Sequence, residues 1–136
     1  MGVKSELTSN FDYEIVDEFL DHYSIMMDSM DILIIDLSKD DMHERSLNEL
    51  FRVFHNIKSA SGFLKIEQMY RLAIFVEEIL EELRKINQPV NDDVINWLLQ
   101  ISDMFNTWNE DLTNDNMLSR VKYSLLKTPD LEKNNK

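Results

Sequence analysis

Apolar residues recur every three or four positions along most of this chain, the spacing that places them on one face of an α-helix. Four long stretches follow the pattern: residues 11–37, 47–64, 69–86 and 91–112. A fifth, shorter stretch covers residues 117–125. The pattern therefore predicts four long amphipathic helices and a short fifth one.

The breaks between these stretches are short. Residues 38–41 are polar, and residues 65–67 interrupt the apolar spacing. Pro89 ends the third predicted helix, because proline disfavours helical conformation at the residue before it. Asn10 and Asn91 stand where side-chain caps are expected for the first and fourth helices.

Each long helix carries one apolar stripe. In the first it consists of Ile15, Phe19, Tyr23, Met26, Met30, Leu33 and Leu37. In the second it consists of Leu47, Leu50, Phe54, Ile57, Ser61 and Leu64. We therefore predict an all-α fold, an antiparallel four-helix bundle with a fifth short C-terminal helix. The domain is expected to cover residues 1–128, followed by a disordered tail at residues 129–136.

Composition supports a helical domain and excludes several protein classes. The length of 136 residues, 43% of them apolar, suits one domain with a real core. Gly62 and Pro89 are the only glycine and proline away from the termini, too few for an all-β fold or a glycine-rich phosphate loop. The lack of cysteine excludes disulfides, thiolate zinc sites and cysteine nucleophiles.

The chain is strongly acidic, with 26 acidic and 14 basic side chains and a formal charge of −12. This charge repels phosphate backbones and anionic lipids, so neither nucleic acid nor a membrane is expected as a partner. No run reaches the roughly 18 apolar residues of a membrane span, and no secretory signal is recognisable. We expect a soluble, cytoplasmic domain.

Helical bundles can hold metal ions, but this sequence lacks the usual ligand motifs. It contains no Glu-x-x-His pair and no His-Glu-x-x-His, and the nearest spacing, Asp40-x-x-His43, falls in a connection. No bound metal is therefore expected. His22 and His43 are expected to be solvated surface side chains.

The third histidine lies on a flank of the second predicted helix. At 100° per residue, His55, Lys58, Ser59 and Gly62 cluster roughly 90° from the apolar stripe. Such a histidine and lysine are usually a solvated helix edge. A glycine, however, destabilises a helix interior by about 1 kcal/mol relative to alanine. Ser59 and Gly62 therefore suggest that another molecule approaches His55 closely.

An acidic residue of the third helix is expected beside His55. If the intervening turn is centred near Ile66, His55 and Glu77 lie at equal height, eleven residues to either side of it. Helical rotation also places them on the same side of the hairpin, so we predict that they are neighbours. The alternative is that Glu77 belongs only to a solvated acidic face formed by residues 77–82.

Such a pair suits a histidine nucleophile. A carboxylate that accepts a hydrogen bond from Nδ1 of His55 fixes the tautomer and leaves Nε2 with a free lone pair. Lys58, one turn onward, could neutralise a phosphoryl group at that nitrogen. The chain has no nucleotide loop and no evident Mg²⁺ cluster, so a partner would supply both nucleotide and metal.

Two segments resemble a known family. Residues 51–64, FRVFHNIKSASGFL, resemble the phosphorylation-site helix of histidine phosphotransfer (HPt) domains. They look most like the N-terminal domain of CheA-type chemotaxis kinases, which carry FR-x-x-H-x-x-K-G-x-x-G and then E-x-L-L-x-x-x-R. Residues 77–84, EEILEELR, correspond to the second motif. The resemblance implies that His55 is the phosphoacceptor, Lys58 its electrostatic helper and Glu77 the partner of the imidazole.

The leading hypothesis is thus a phosphorelay module. The resemblance implies that His55 takes a phosphoryl group from a histidine-kinase ATP-binding domain and passes it to an aspartate of a response-regulator receiver domain. ATP and Mg²⁺ would belong to those partner domains, so no cofactor is expected on this one. Such domains mostly act as monomers. The chain could be a free-standing shuttle or the first domain of a longer kinase.

Three departures from the family pattern support an alternative. Ser59 replaces the glycine after the lysine, Lys65 replaces a later glycine, and Ile74 replaces a second histidine of the third helix. The alternative is a catalytically degenerate, HPt-like helical adaptor that only docks a signalling partner. A metal-dependent bundle enzyme is a third hypothesis, disfavoured by the lack of ligands.

Overall fold

The computed structural model describes residues 2–133, which contain α-helices, one 3₁₀ turn and no strand. The helices are α1 (Val3–Asn10), α2 (Tyr13–Asp36), α3 (His43–Phe63), α4 (Glu67–Ile86) and α5 (Asp92–Thr113). The 3₁₀ turn covers Tyr123–Leu126. The predicted all-α fold is confirmed. None of the helices in this range combines the length and apolar character that a bilayer crossing requires.

Helices α2 and α5 run antiparallel, as polar contacts between them show. Ser24 Oγ on α2 donates to Asn109 Oδ1 on α5 at 3.1 Å, and Ser102 Oγ donates to Asp31 Oδ1 at 2.6 Å. A later position on α2 thus meets an earlier one on α5. Helix α3 packs against both α2 and α4. These pairings produce the predicted bundle.

The core follows the predicted stripe closely in α3, whereas α5 buries a wider face. All six stripe residues of α3 are buried, and so are Val94, Leu98, Ile101, Phe105, Trp108 and Leu112 of α5. The stripe of α2 is shifted, because this helix packs between α3 and α5 and buries Val16, Met27 and Ile34, whereas Ile15 is exposed. Tyr23 is buried as predicted, and burial raises the pKa of its phenol well above the usual value.

The amino-terminal segment differs from the prediction. Residues 3–10 form a separate helix, α1, and Asn10 is its last residue, not the cap of the long helix; its Nδ2 donates to Glu6 O. Helix α2 begins after Asp12, which makes no side-chain cap. The pattern missed α1 because Leu7 is its single buried residue. Its amino end is instead capped from a distance, since Asp115 Oδ1 accepts hydrogen bonds from the backbone of Gly2 and Ser5.

The prediction of a short fifth helix at residues 117–125 is correct only for the end of that segment. Only the 3₁₀ turn Tyr123–Leu126 forms, and Met117 is exposed. The segment satisfies part of its backbone through side chains of α5: Trp108 Nε1 donates to Ser119 O at 2.8 Å and Trp97 Nε1 donates to Leu125 O at 2.9 Å. These long-range partners replace the hydrogen bonds of a helix.

The carboxyl end of the described chain lies beside the start of α5. Asn91 caps α5 as predicted, accepting from Val94 N at 3.0 Å, and its Nδ2 donates to Asp130 O at 2.9 Å. Lys133 forms an ion pair with Asp93 at 2.9 Å. The domain boundary at residue 128 stays a prediction, and residues 134–136 of the expected tail lie outside the described residues.

The turn between α3 and α4 contains a lysine in a conformation that favours glycine. Lys65 has φ 59°, Ile66 N donates to Ser61 O and Lys65 N donates to Gly62 O, which is the Schellman geometry of a helix end. A side chain in this left-handed region destabilises the backbone by about 1 kcal/mol or more relative to glycine. Lys65 is also where the family pattern has glycine.

Replacing Lys65 by glycine is therefore expected to raise the free energy of unfolding by about 1 kcal/mol. Lys65→Ala is the control, because it removes the charged side chain but keeps Cβ, and it should change stability by less than about 0.5 kcal/mol. Urea unfolding followed by circular dichroism measures both. Equal stabilisation by alanine and glycine would show that charge, not backbone conformation, is responsible.

Candidate functional site

His55 lies near the middle of α3 with its imidazole in solvent. Its side chain is 53% exposed, and within residues 2–133 only Nδ1 has a hydrogen-bond partner. His22 is also exposed, whereas His43 begins α3 and is half-buried, with Nδ1 3.1 Å from Asp40 O. In the same part of the chain no group of three or more potential ligands is placed to hold a metal ion.

Glu77 of α4 meets His55 across the hairpin, as the symmetry of the turn predicts. Its Oε2 lies 3.1 Å from His55 Nδ1, and its Oε1 accepts a hydrogen bond from Lys58 Nζ at 2.7 Å. The Glu77 side chain is 16% exposed, far less than a solvated acidic face would be. One carboxylate therefore connects the imidazole and the ammonium.

The ionisation of Glu77 determines which nitrogen of His55 carries the proton. Burial opposes ionisation of the carboxyl, but hydrogen bonds from Lys58 and His55 outweigh it and lower the pKa of Glu77. An ionised carboxylate can only accept, so Nδ1 of His55 donates. In a neutral imidazole the lone pair then resides on Nε2, which has no hydrogen-bond partner in the described chain.

Lys58 contacts the carboxylate in this structure. Its side chain is partly buried, and the ion pair with Glu77 neutralises an acid that would otherwise repel an anionic group near His55. Lys58 is three residues after His55 on α3, so it lies about one helical turn from the imidazole, as the sequence predicts.

Ser59 and Gly62 are the small residues on the flank of α3 that carries His55, and the structure gives a reason for the glycine only. Ser59 and Gly62 are both exposed, but a Cβ on Gly62 would lie 3.0 Å from Cε1 of Tyr70 on α4. The glycine therefore makes room for a ring of the same chain. The partner-facing role of Ser59 and Gly62 stays a prediction. Ile74, half-buried on α4, adds no imidazole to the site.

Two residues that no physical argument from the sequence singled out complete the surroundings of His55: Phe51 beside its ring, and Arg84 beside Phe51. The rings of Phe51 and His55 are stacked with centroids 6.5 Å apart and planes 11° apart. Arg84 of α4 places Cζ 4.6 Å from the Phe51 centroid, and its Nη1 donates to Glu81 Oε2 at 3.1 Å. The spacing of four between Phe51 and His55 on one helix is the signal that points to the first contact.

Comparison with known families agrees with this geometry. A family model described as "Hpt domain" matches residues 14–114, the part of the chain that contains α2 to α5. The chain belongs to the Hpt domain family. The resemblance of residues 51–64 and 77–84 to this family is thereby confirmed. Helix α1 and the segment after α5 lie outside the matched range of this Hpt domain.

Individual relatives of this Hpt domain are a sensor histidine kinase and chemotaxis proteins. The sensor histidine kinase CheAY of Helicobacter pylori is 29% identical over 69% of this chain, and the chemotaxis protein CheA of Salmonella typhimurium is 27% identical over 63%. CheA of Halobacterium salinarum is 32% identical over 48%. The alignments cover 12%, 13% and 10% of these relatives, so the chain spans only a small part of their length. No solved structure gives a significant match.

Proposed function

We propose that this Hpt domain carries a phosphoryl group on His55 Nε2 between two signalling proteins. The observation that carries the proposal is the orientation of the imidazole. Its Nδ1 is bound to an ionised carboxylate, and its Nε2 has no partner in the described chain, on a side chain that is 53% exposed. A nitrogen nucleophile with a defined tautomer and open access is what phosphoryl transfer to histidine requires.

In the first transfer, the Nε2 lone pair of His55 attacks the γ-phosphorus of ATP. The Nε2–P bond forms while the bond between phosphorus and the ADP oxygen breaks, and ADP leaves with the bonding pair. The imidazole becomes positively charged, and Glu77 stabilises that charge through Nδ1–H or accepts the proton. In the second transfer, the Nε2–P bond breaks and an acyl phosphate forms on the receiver aspartate.

Lys58 is proposed to reduce charge repulsion during both steps. The incoming phosphoryl group is anionic, and Glu77 is a carboxylate close to the accepting ring. Lys58, bound to Glu77 at 2.7 Å, neutralises the carboxylate and can reorient toward phosphoryl oxygens. The domain supplies the nucleophile and its electrostatics, while ATP and Mg²⁺ belong to the kinase partner.

The proposed partners are a histidine-kinase ATP-binding domain and a response-regulator receiver domain. The relatives named as a sensor histidine kinase and chemotaxis proteins support this assignment, and with it a role in cytoplasmic chemotaxis signalling. A groove between α2 and α3 is lined by Asn56, the residue after His55 in sequence. Ile25 and Phe63 on its walls are 66% and 61% exposed, and exposed apolar side chains on the helix that carries His55 and on its neighbour suit a docking protein.

Incubation with a kinase ATP-binding domain and γ-labelled ATP tests the proposal. The label should be stable in alkali and lost in acid, as an N–P bond is, and it should move to a receiver domain that is added later. Binding of the receiver without any label would favour the docking adaptor instead. An acid-stable label would indicate a hydroxyl acceptor and contradict the proposal.

Glu77→Gln is expected to slow phosphorylation of His55 by about 10- to 100-fold, the same range as the loss when a group that orients a metal-bound histidine is removed. The amide keeps the shape of Glu77 but lacks the charge that stabilises Nδ1–H. Glu78→Gln removes an exposed carboxylate of the same helix and should leave the initial rate unchanged. Equal rates for wild type and Glu77→Gln would exclude the assigned role.

The difference in stability between wild type and Glu77→Gln is expected to depend on pH. Because the pKa of Glu77 is lowered in the folded state, its contribution to the free energy of unfolding is present above the ordinary value of 4.5. This contribution is lost as the pH falls from 4.5 through the lower pKa of the folded state. The difference in free energy of unfolding between wild type and Glu77→Gln should therefore become smaller below pH 4.5.

A further inference from the structure

The hydrogen bond from Glu77 does not by itself fix the direction of the His55 lone pair. A single contact at Nδ1 restrains one atom of the ring, and small coupled changes of χ1 and χ2 can still tilt the imidazole while Nδ1 keeps its partner. More than half of the side chain is exposed, so solvent does not restrict this rotation. A second contact on the ring face is needed to define its plane.

Phe51 provides that second contact. Its ring is nearly parallel to the imidazole, with planes 11° apart and centroids 6.5 Å apart, within the range of offset aromatic stacking. Phe51 is one helical turn before His55, so both side chains project from the same face of α3. Phe51 is only half-buried, however, and the core does not hold its ring on all sides.

Arg84 restrains the Phe51 ring in turn. The guanidinium carbon lies 4.6 Å from the ring centroid, which is a cation–π contact. Glu81, one turn earlier on α4, accepts a hydrogen bond from Arg84 at 3.1 Å and limits the positions that the guanidinium can take. Helix α4 therefore reaches His55 twice, directly through Glu77 and indirectly through Arg84 and Phe51.

We propose that Arg84 is a positioning residue that holds the plane of the His55 imidazole through Phe51 and so aims Nε2. This inference rests on the proposed function for its effect on phosphoryl transfer, but the restraint on the ring exists without transfer. Restricting the ring to one plane reduces the misaligned orientations from which attack on phosphorus fails.

A double-mutant cycle monitored by NMR of the His55 ring protons tests the restraint. Phe51→Leu should move these resonances, because the ring-current shielding of Phe51 is lost. Arg84→Ala should move them in the same direction, and Arg84→Lys should restore only part of the shift, since it keeps the charge but not the planar guanidinium. The double variant should resemble Phe51→Leu alone, because Arg84 acts through that ring.

Arg71→Ala is the matched control. Arg71 is also on α4 and pairs with a glutamate four residues before it, but it is far more exposed and lies over no aromatic ring in the described chain. Its removal should leave the His55 resonances in place. Shifts from Arg84→Ala that equal those of Arg71→Ala, or that add fully to those of Phe51→Leu, would overturn the proposal.

The effect on transfer is measured with potassium phosphoramidate, a small donor that needs no docking surface. The Nε2–P bond forms as the donor's P–N bond breaks, and ammonia leaves and takes up the proton released by the imidazole. Arg84→Ala should lower this rate by about three- to tenfold. If the wild type takes no phosphoryl group, the proposed function fails, while the NMR cycle still decides whether Arg84 positions the ring.

Discussion

Replacing His55 by glutamine is expected to abolish phosphoryl incorporation while the bundle remains folded. The side chain is exposed, so the substitution leaves no cavity in the core. A glutamine amide can still donate to Glu77, but its nitrogen lone pair is delocalised into the carbonyl and does not attack phosphorus. The loss should therefore be complete, with both the kinase and phosphoramidate as donors.

His22→Gln and His43→Gln are the matched controls for this prediction, because they remove the other two histidines of the chain. Both proteins should take up label at the wild-type rate. Circular dichroism of all three variants checks that the helical content is retained. Undiminished labelling of His55→Gln would eliminate His55 as the acceptor, and with it the proposed relay.

Truncating Phe54, the neighbour of His55 in sequence, is expected to destabilise the domain strongly. Phe54→Ala should lower the free energy of unfolding by about 3–5 kcal/mol, a large share of the total of about 5–15 kcal/mol typical of a domain. The Phe54 side chain is fully buried and meets Phe105 edge-on, with centroids 5.2 Å apart. Phe105 packs in the same manner on Trp108, so the cavity would open in the middle of an aromatic cluster.

Phe63→Ala is the control on the same helix. Phe63 is 61% exposed, and the ring that it meets, Phe11, is itself only half-buried, so the loss should be about 1 kcal/mol or less. Urea unfolding gives both values. A loss below about 1 kcal/mol for Phe54→Ala would mean that the cluster collapses around the missing ring, and that the core is packed less tightly than described.

The sequence alone was sufficient for the central hairpin and for its most important contact. Helices α3 and α4 each have one narrow buried stripe, and burying that stripe determines the rotation of each helix about its axis. With the short turn at Ile66, these two rotations determine which flanking residues meet, and they predict the observed contact between His55 and Glu77. The roles of these residues in transfer stay predictions.

Features that depend on contacts between distant segments could not be obtained in this way. Helix α1 buries only Leu7 and is capped by Asp115 from the other end of the chain, so its own pattern is weak. From the sequence, Gly62 suggested only that a partner approaches closely, whereas the structure shows that the ring of Tyr70 occupies the space where its Cβ would lie.

The proposed orientation of the His55 imidazole also depends on distant segments, because it rests on the contact between Arg84 of α4 and Phe51 of α3. Periodicity determines which face of a helix is buried, since that follows from spacing along one segment. Which side chain of another segment fills a given gap depends on distances that only the assembled helices define.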